Sequence, residues 1–255
     1  MLSKINHAKI AGSKFILTAL VIAFPCVTGQ ALYAQTQLTK KLKNGEDQLV
    51  LIYGTSLSSG DNGKTWMGEV ADHFNRKYGS HLKYRLAGKG GMWSTWGVQN
   101  LEDSVISRSP DAVIIEFGIN DAFEKYKTSP SVAQLNLEYM INRIRLQNPS
   151  CEIILQVMNM PIGKSAGFRP NLKAYYDIYR EVAKKRKLLL IDHYPNWQKI
   201  LDRGEVEFLK HVPDGIHPNS ESGREIIAPF IINRLEGVKI SRSEKNSLIE
   251  EPDLP

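Results

Sequence analysis

Five apolar runs recur along the chain, at Leu49 to Tyr53, His81 to Ala87, Ala112 to Phe117, Glu152 to Met158 and Leu188 to Asp192. Most are continuously apolar rather than alternating, the pattern of strands covered on both faces, as in a parallel sheet. Between them apolar residues repeat at helical spacing. Trp66, Val70 and Phe74 share one face of a helix that Gly79 can end, and Trp96, Leu101 and Val105 mark a second. Leu135, Met140 and Ile144 mark a third, which stops before Pro149. A fourth runs from about Leu172 to Lys187 and a last one from Ser220 to Leu235, with Ser220 as its expected start. Strands alternating with helices predict an α/β sandwich with a mainly parallel sheet, whose ligand site lies at the carboxyl ends of the strands. The segments there read "GTSLSSG", "GKGGMWS", "GIND", "NMPIGKSAG" and "HYPNW", and the first three are rich in glycine and small polar residues.

The two ends of the 255-residue chain break this rhythm. Lys4, Lys9 and Lys14 precede the apolar run Phe15 to Val27, and small residues follow at Gly29, Ala31 and Ala34. That layout is a secretory signal peptide over residues 1–34, too short in its apolar part to span a bilayer comfortably. It implies an exported, periplasmic or extracellular protein with no stable membrane insertion after cleavage. Residues 35–47 read as a linker, 48–237 as one catalytic-size domain, and 238–255, "VKISRSEKNSLIEEPDLP", as a loose polar tail. Removing the leader takes three lysines and no acids, so the formal charge falls from +6 to +3. Charges of both signs are mixed through the remainder, apart from Lys184 to Lys187, a solvated helix end, so no nucleic-acid partner is expected. Cys26 lies in the leader, with a proline before it where a lipidation site favours a small residue. Cys151 is then alone, which excludes an intrachain disulfide and a paired-cysteine metal site.

Two chemistries compete for "YGTSLSSGDNGKT", residues 53–65. A phosphate loop needs glycine, four residues, then Gly-Lys-Ser/Thr, because that spacing wraps successive N–H groups around phosphates. Ser58 stands five before Gly63, and the strand-end Gly54 is nine away, so the spacing fails; Gly60 to Thr65 read as a turn and cap before the helix. The alternative is a nucleophile at Ser56, just past the strand end. Alone it would be a turn serine. However, "VPDGIHPN" places Asp214 and His217 three apart around a glycine. In a tight turn such a carboxylate reaches one imidazole nitrogen and leaves the other free to take a proton from a serine.

"GTSLS", "GKGG", "GIND" and "DGIHPN", in that order across residues 54–219, resemble the four blocks of the SGNH (GDSL-like) hydrolase family. The resemblance implies a flavodoxin-like, three-layer α/β/α fold with five parallel strands. It also implies Ser56 as nucleophile, His217 as general base and Asp214 as its orienting carboxylate. An oxyanion hole would come from the N–H groups of Ser56 and Gly91 and the side-chain amide of Asn120. Two positions depart from the family: Thr55 replaces the aspartate of Gly-Asp-Ser, and Leu86 replaces the asparagine that often opens the second block. The α/β-hydrolase elbow Gly-x-Ser-x-Gly also fails, at Ser58.

Other residues carry weaker claims. His193 after the last strand is the rival base, with a structural or substrate-edge role preferred because adjacent Asp192 diverges from it. His211 reads as surface, while His73 and His81 fall in helix and strand patterns. Glu116 reads as a hydrogen-bonded polar residue at a strand end, and Asp121 as a loop-fixing acceptor. Trp96 reads as core; Trp93 is equally suited to packing and to stacking on a sugar ring. No motif calls for a metal or a cofactor. The resulting expectation is a secreted serine esterase acting on an acylated carbohydrate or other small ester, most simply by O-deacetylation. The alternatives are a lipid acyl hydrolase of lysophospholipase or thioesterase type, and a glycan-binding module that kept the fold without the chemistry. Oligomeric state is not legible.

Overall fold

The computed structural model describes residues 35–79 and 82–237. The signal peptide, with its lysines and Cys26, the C-terminal tail and His81 lie outside the described residues. Five strands form one sheet: β1 (Gln48–Gly54), β2 (Leu82–Leu86), β3 (Ala112–Glu116), β4 (Glu152–Val157) and β5 (Leu189–Asp192). Their order is β2-β1-β3-β4-β5 and every pairing is parallel, with Gly54 of β1 opposite Glu116 of β3. The helices are α1 (Gln37–Lys43), α2 (Gly60–Tyr78), α3 (Ser94–Gln99), α4 (Leu101–Ser104), α5 (Gly118–Asp121), α6 (Pro130–Gln147), α7 (Gly163–Gly167), α8 (Leu172–Arg186), α9 (Tyr194–Leu201), α10 (Glu205–His211), α11 (Ser220–Ser222) and α12 (Ala228–Glu236). α1, α2 and α12 pack together on one side of the sheet, and α3, α5, α6 and α8 on the other. Every residue of β3 is buried, as the unbroken apolar run requires when both faces are covered.

Several expectations need correction. Residues 35–47 are not a bare linker: Thr36 caps α1, whose Leu38 and Leu42 are buried, while Thr36 and Thr39 donate to the Leu235 carbonyl at 3.0 Å. Gly60 to Thr65 are not a turn but the start of α2, with Ser59 at its N-cap. The second expected helix is broken at Asn100 (φ −109°, ψ 7°), giving α3 and α4 and then a 3₁₀ turn at Ile106–Arg108. On α6 the inward ridge is Ala133, Leu137, Met140, Ile141 and Ile144; Leu135 is 69 % exposed. Leu135 and Met140 are five apart, so at 3.6 residues per turn they fall on different faces. The last helical stretch begins at Ser220, but its cap is Asn219, whose side chain accepts from the Ser222 N–H, and a π turn at Gly223–Ile227 follows. α7, α9 and α10 were not foreseen; at five, eight and seven residues they hold too few turns for a periodic signal.

Candidate active site

β1 delivers the chain to the carboxyl edge of the sheet at Gly54. A Cβ there would lie 2.4 Å from the Glu116 carbonyl oxygen and 3.0 Å from its Oε2, so glycine is what lets the ends of β1 and β3 close up. The chain then turns, the Ser58 N–H donating to the Thr55 carbonyl at 3.1 Å, and Ser56 sits half-buried between fully buried Thr55 and Leu57. One carboxylate oxygen supports this turn. Glu116 Oε2 accepts from the Thr55 hydroxyl at 2.7 Å, the Thr55 N–H at 3.1 Å and the Ser58 hydroxyl at 3.1 Å, while Oε1 is buried without a partner. Burial pushes the Glu116 carboxyl up to about 7, against the pull of its bonds to Thr55 and Ser58.

From the far end of the chain, His217 meets this turn. Its Nε2 lies 2.8 Å from Ser56 Oγ, and its Nδ1 lies 2.6 Å from Asp214 Oδ2. The tautomer with its proton on Nδ1 satisfies both contacts, leaving a lone pair on Nε2 toward the serine hydroxyl. Asp214 Oδ1 accepts from the N–H groups of Ile216 at 3.0 Å and His217 at 2.7 Å. Partial burial pushes this carboxyl upward, but the bonds from His217 and Ile216 outweigh it and hold the group below its ordinary value. The loop is gripped by the segment after β4: the Ile162 N–H donates to the Gly215 carbonyl at 2.8 Å and Asn159 Nδ2 to the Ile216 carbonyl at 2.9 Å. Gly215 has φ +78°, a conformation glycine adopts without strain.

The glycine loop after β2 runs beside the serine. A Cβ on Gly90 would lie 3.6 Å from Ser56 Cβ, and Gly91 has φ +74°. Asn120, buried on α5, donates from Nδ2 to the Met92 carbonyl at 2.9 Å, which leaves its second hydrogen for another acceptor. The Tyr126 hydroxyl donates to the Gly91 carbonyl, and Trp93 is stacked on the Tyr126 ring at 4.3 Å and 10°. Trp93 thus has one face covered and remains only partly buried, while Trp96 packs against Tyr53 and Phe117. Asp121 accepts from the Ser94 N–H at 2.9 Å, and burial raises its carboxyl to about 7 against the bonds from Ser94.

The structure therefore brings Ser56, His217 and Asp214 together, with Gly90 packed against Ser56 and Asn120 bonded to the Met92 carbonyl of the same loop. His193 is not among them. It is fully buried, its ring 4.9 Å from that of Phe230, and burial drives its pKa down to about 3. A strand-end histidine whose ring turns into the core cannot edge a substrate, so the expectation of a substrate-binding His193 is corrected. The sequence reading missed Arg169, which contacts Asn120, and Tyr126; both sit in short segments with no motif or periodicity to mark them.

A family model described as the GDSL-like lipase/acylhydrolase family matches residues 52–223, from inside β1 to just past the histidine loop. The chain belongs to this GDSL-like hydrolase family. A curated arylesterase from Vibrio mimicus is 24 % identical over 222 residues, spanning 86 % of this chain and 96 % of the relative. Among solved structures, a lipase/acylhydrolase from Enterococcus faecalis aligns with TM-score 0.63 at 23 % identity, over 74 % of this chain and 96 % of that one. An acetylxylan esterase from Geobacillus stearothermophilus aligns with TM-score 0.63 at 18 % identity, over 76 % and 97 %. A two-domain esterase active on acetylated mannans aligns with TM-score 0.63 at 22 % identity, over 86 % of this chain and 55 % of that one. These likenesses share the α/β fold, and family membership makes the chain a carboxylic ester hydrolase of the GDSL type. "GTSLS" and "DGIHPN" are thus variants of the GDSL blocks, and Glu116 brings a buried carboxyl to the turn where this member lacks the usual aspartate.

Proposed function

We propose that this GDSL-like hydrolase is an exported serine esterase that removes acyl groups, chiefly acetyl, from carbohydrate. The observation that carries the catalytic part is the unbroken contact Ser56 Oγ to His217 Nε2 to Asp214, at 2.8 and 2.6 Å. On this reading His217 Nε2 takes the proton as Ser56 Oγ attacks the ester carbonyl, and Asp214 stabilises the imidazolium that forms. The oxyanion is met by the N–H groups of Ser56 and Gly91 and by the free hydrogen of Asn120 Nδ2. The imidazolium then protonates the departing sugar oxygen, leaving an acyl-enzyme. Water, giving its proton to His217, attacks the acyl carbon and releases the acid as the serine regains its proton. The carbohydrate part rests on the leader, on half-exposed Trp93 beside the glycine loop, and on the acetylxylan and acetylated-mannan substrates named for two structural neighbours.

The test is acetate release from acetylated xylan, acetylated mannan and simple sugar acetates by the chain from Gln35, beside its Ser56→Ala variant. Release by the parent and its loss in the variant are expected. Absence of release, with an organophosphonate still labelling Ser56, would keep the hydrolase and discard the acetyl-carbohydrate substrate. A preference for long over short nitrophenyl esters would then select the lipid acyl hydrolase.

A further inference from the structure

Arg169 is a buried cation that the catalytic chain of contacts does not use. It follows α7, is 7 % exposed, and lies with its guanidinium 4.6 Å from the centre of the Phe123 ring. Its hydrogen bonds go to neutral oxygens: Nε to the Ile119 carbonyl at 2.8 Å, Nη1 to the Ser165 carbonyl at 3.0 Å, and Nη2 to Asn120 Oδ1 at 3.4 Å. Among the described residues no carboxylate pairs with it. Buried arginines are ordinarily paired with an acid, because an uncompensated buried charge is costly. A cation kept here without one, touching the side chain of Asn120, calls for an explanation beyond packing.

The geometry of Asn120 supplies it. Its Oδ1 faces the guanidinium and its Nδ2 faces the Met92 carbonyl. Reversing the amide would set Nδ2 against the Arg169 donors and Oδ1 against the Met92 oxygen, two unfavourable contacts at once. A residue without a donor in place of Arg169 would leave the amide held only at the Met92 end. A cation on Oδ1 also draws electron density from the amide and makes its N–H a stronger donor.

We propose that Arg169 is a positioning residue of the oxyanion hole, fixing and polarising the Asn120 amide so that its free N–H meets the charge that develops on the substrate oxygen. This rests on the reading of Asn120 as an oxyanion donor. Arg169 acts only through Asn120, and that separates it from a strap that merely ties the segment after β4 to α5.

The experiment is a double-mutant cycle on nitrophenyl acetate hydrolysis, with thermal melting of every variant. Asn120→Ala is expected to lower kcat on the order of 100-fold. Arg169→Met should lower kcat by about tenfold or more, a fraction of the cost of losing the donor itself, with KM within about twofold. In the Asn120→Ala background the same change should have no further effect on kcat. Arg169→Lys, which keeps the charge without the planar fork, should fall between parent and Met variant, and it substitutes for the Met variant if that one does not melt cooperatively. An unchanged kcat in the Arg169 variants, or a loss that adds in full to that of Asn120→Ala, would overturn the inference and leave Arg169 a strap. A silent Asn120→Ala would instead overturn the oxyanion reading itself.

Discussion

Thr55 is joined twice to Glu116 Oε2, the hydroxyl donating at 2.7 Å and the backbone N–H at 3.1 Å. Thr55 Oγ1 also accepts from the Leu57 N–H at 3.3 Å, so it links the buried carboxyl to the backbone on the other side of Ser56. The family's aspartate at this position is thereby replaced by a hydroxyl that donates to a carboxylate already present on β3. Thr55→Val keeps the shape but leaves Glu116 with one donor fewer and the Leu57 N–H without its partner. Unmade buried bonds cost about 1–3 kcal/mol each, so the variant should unfold at lower urea by that order. Thr55→Asp should be worse at neutral pH, since two carboxyls would then face each other in the same buried space. A Val variant as stable as the parent would show that the bond carries no net stability.

Asp214 supports two things at once, the imidazole through Oδ2 and the loop backbone through Oδ1. Asp214→Asn retains an acceptor for the backbone but loses the charge that favours the Nδ1–H tautomer and the imidazolium. A fall in kcat of up to about 10⁴-fold is expected, with little change in melting temperature. Asp214→Ala should lose comparable activity and stability as well. If the Asn variant retained most of its rate, water or another group would have to orient His217.

Two glycines of one loop meet different surroundings. A Cβ on Gly88 would meet the Gly54 backbone, 2.3 Å from its oxygen and 2.5 Å from its nitrogen, whereas a Cβ on Gly91 meets nothing within 4 Å. Gly88→Ala must force β1 and the loop apart and should lower stability by several kcal/mol, as unrelieved overpacking does. Gly91→Ala faces only its φ of +74°, a cost of about 1 kcal/mol. It should therefore fold, and lose activity as the N–H at 91 turns from its position. Equal destabilisation in the two variants would contradict this division.

The sheet was legible because its three central strands, β1, β3 and β4, are apolar runs buried almost throughout, whereas the edge strand β2 alternates, with Lys83 and Arg85 exposed. The three residues of the hydrogen-bonded chain were legible because two short motifs confine them, "GTSLS" and "DGIHPN". What the sequence hid depends on side-chain direction in three dimensions. His193 follows a strand end as a substrate-edge residue would, yet its ring turns inward to Phe230. Leu135 fits an apolar count and falls on the wet face of α6. Arg169 reaches Asn120 across 49 positions, a contact that no local pattern encodes.

Three buried groups act on folding stability in opposite directions at mildly acid pH. Burial raises Glu116 from 4.5 to about 7 and Asp121 from 3.8 to about 7, while it lowers His193 from 6.5 to about 3. Between about pH 4.5 and 6.5 the folded chain keeps two protons that the unfolded chain releases, and refuses one that the unfolded chain takes up. Stability rises with pH where the unfolded state binds more protons. His193 therefore makes it rise over this window, and the two carboxyls make it fall until pH passes their folded value near 7. The carboxyls outnumber the histidine by one proton, so these groups together make stability fall as pH rises through this window. Glu116→Gln removes one of the opposing terms and should flatten the profile. His193→Phe leaves both carboxyls unopposed and should give the steepest decline. Urea unfolding of the three proteins at about pH 5 and 6.5 distinguishes these slopes, a comparison in which each variant is referred to its own value at the lower pH. A Gln variant as steep as the parent would mean that the three donors on Oε2 hold Glu116 ionised throughout, and that hydrogen bonding rather than burial sets its charge.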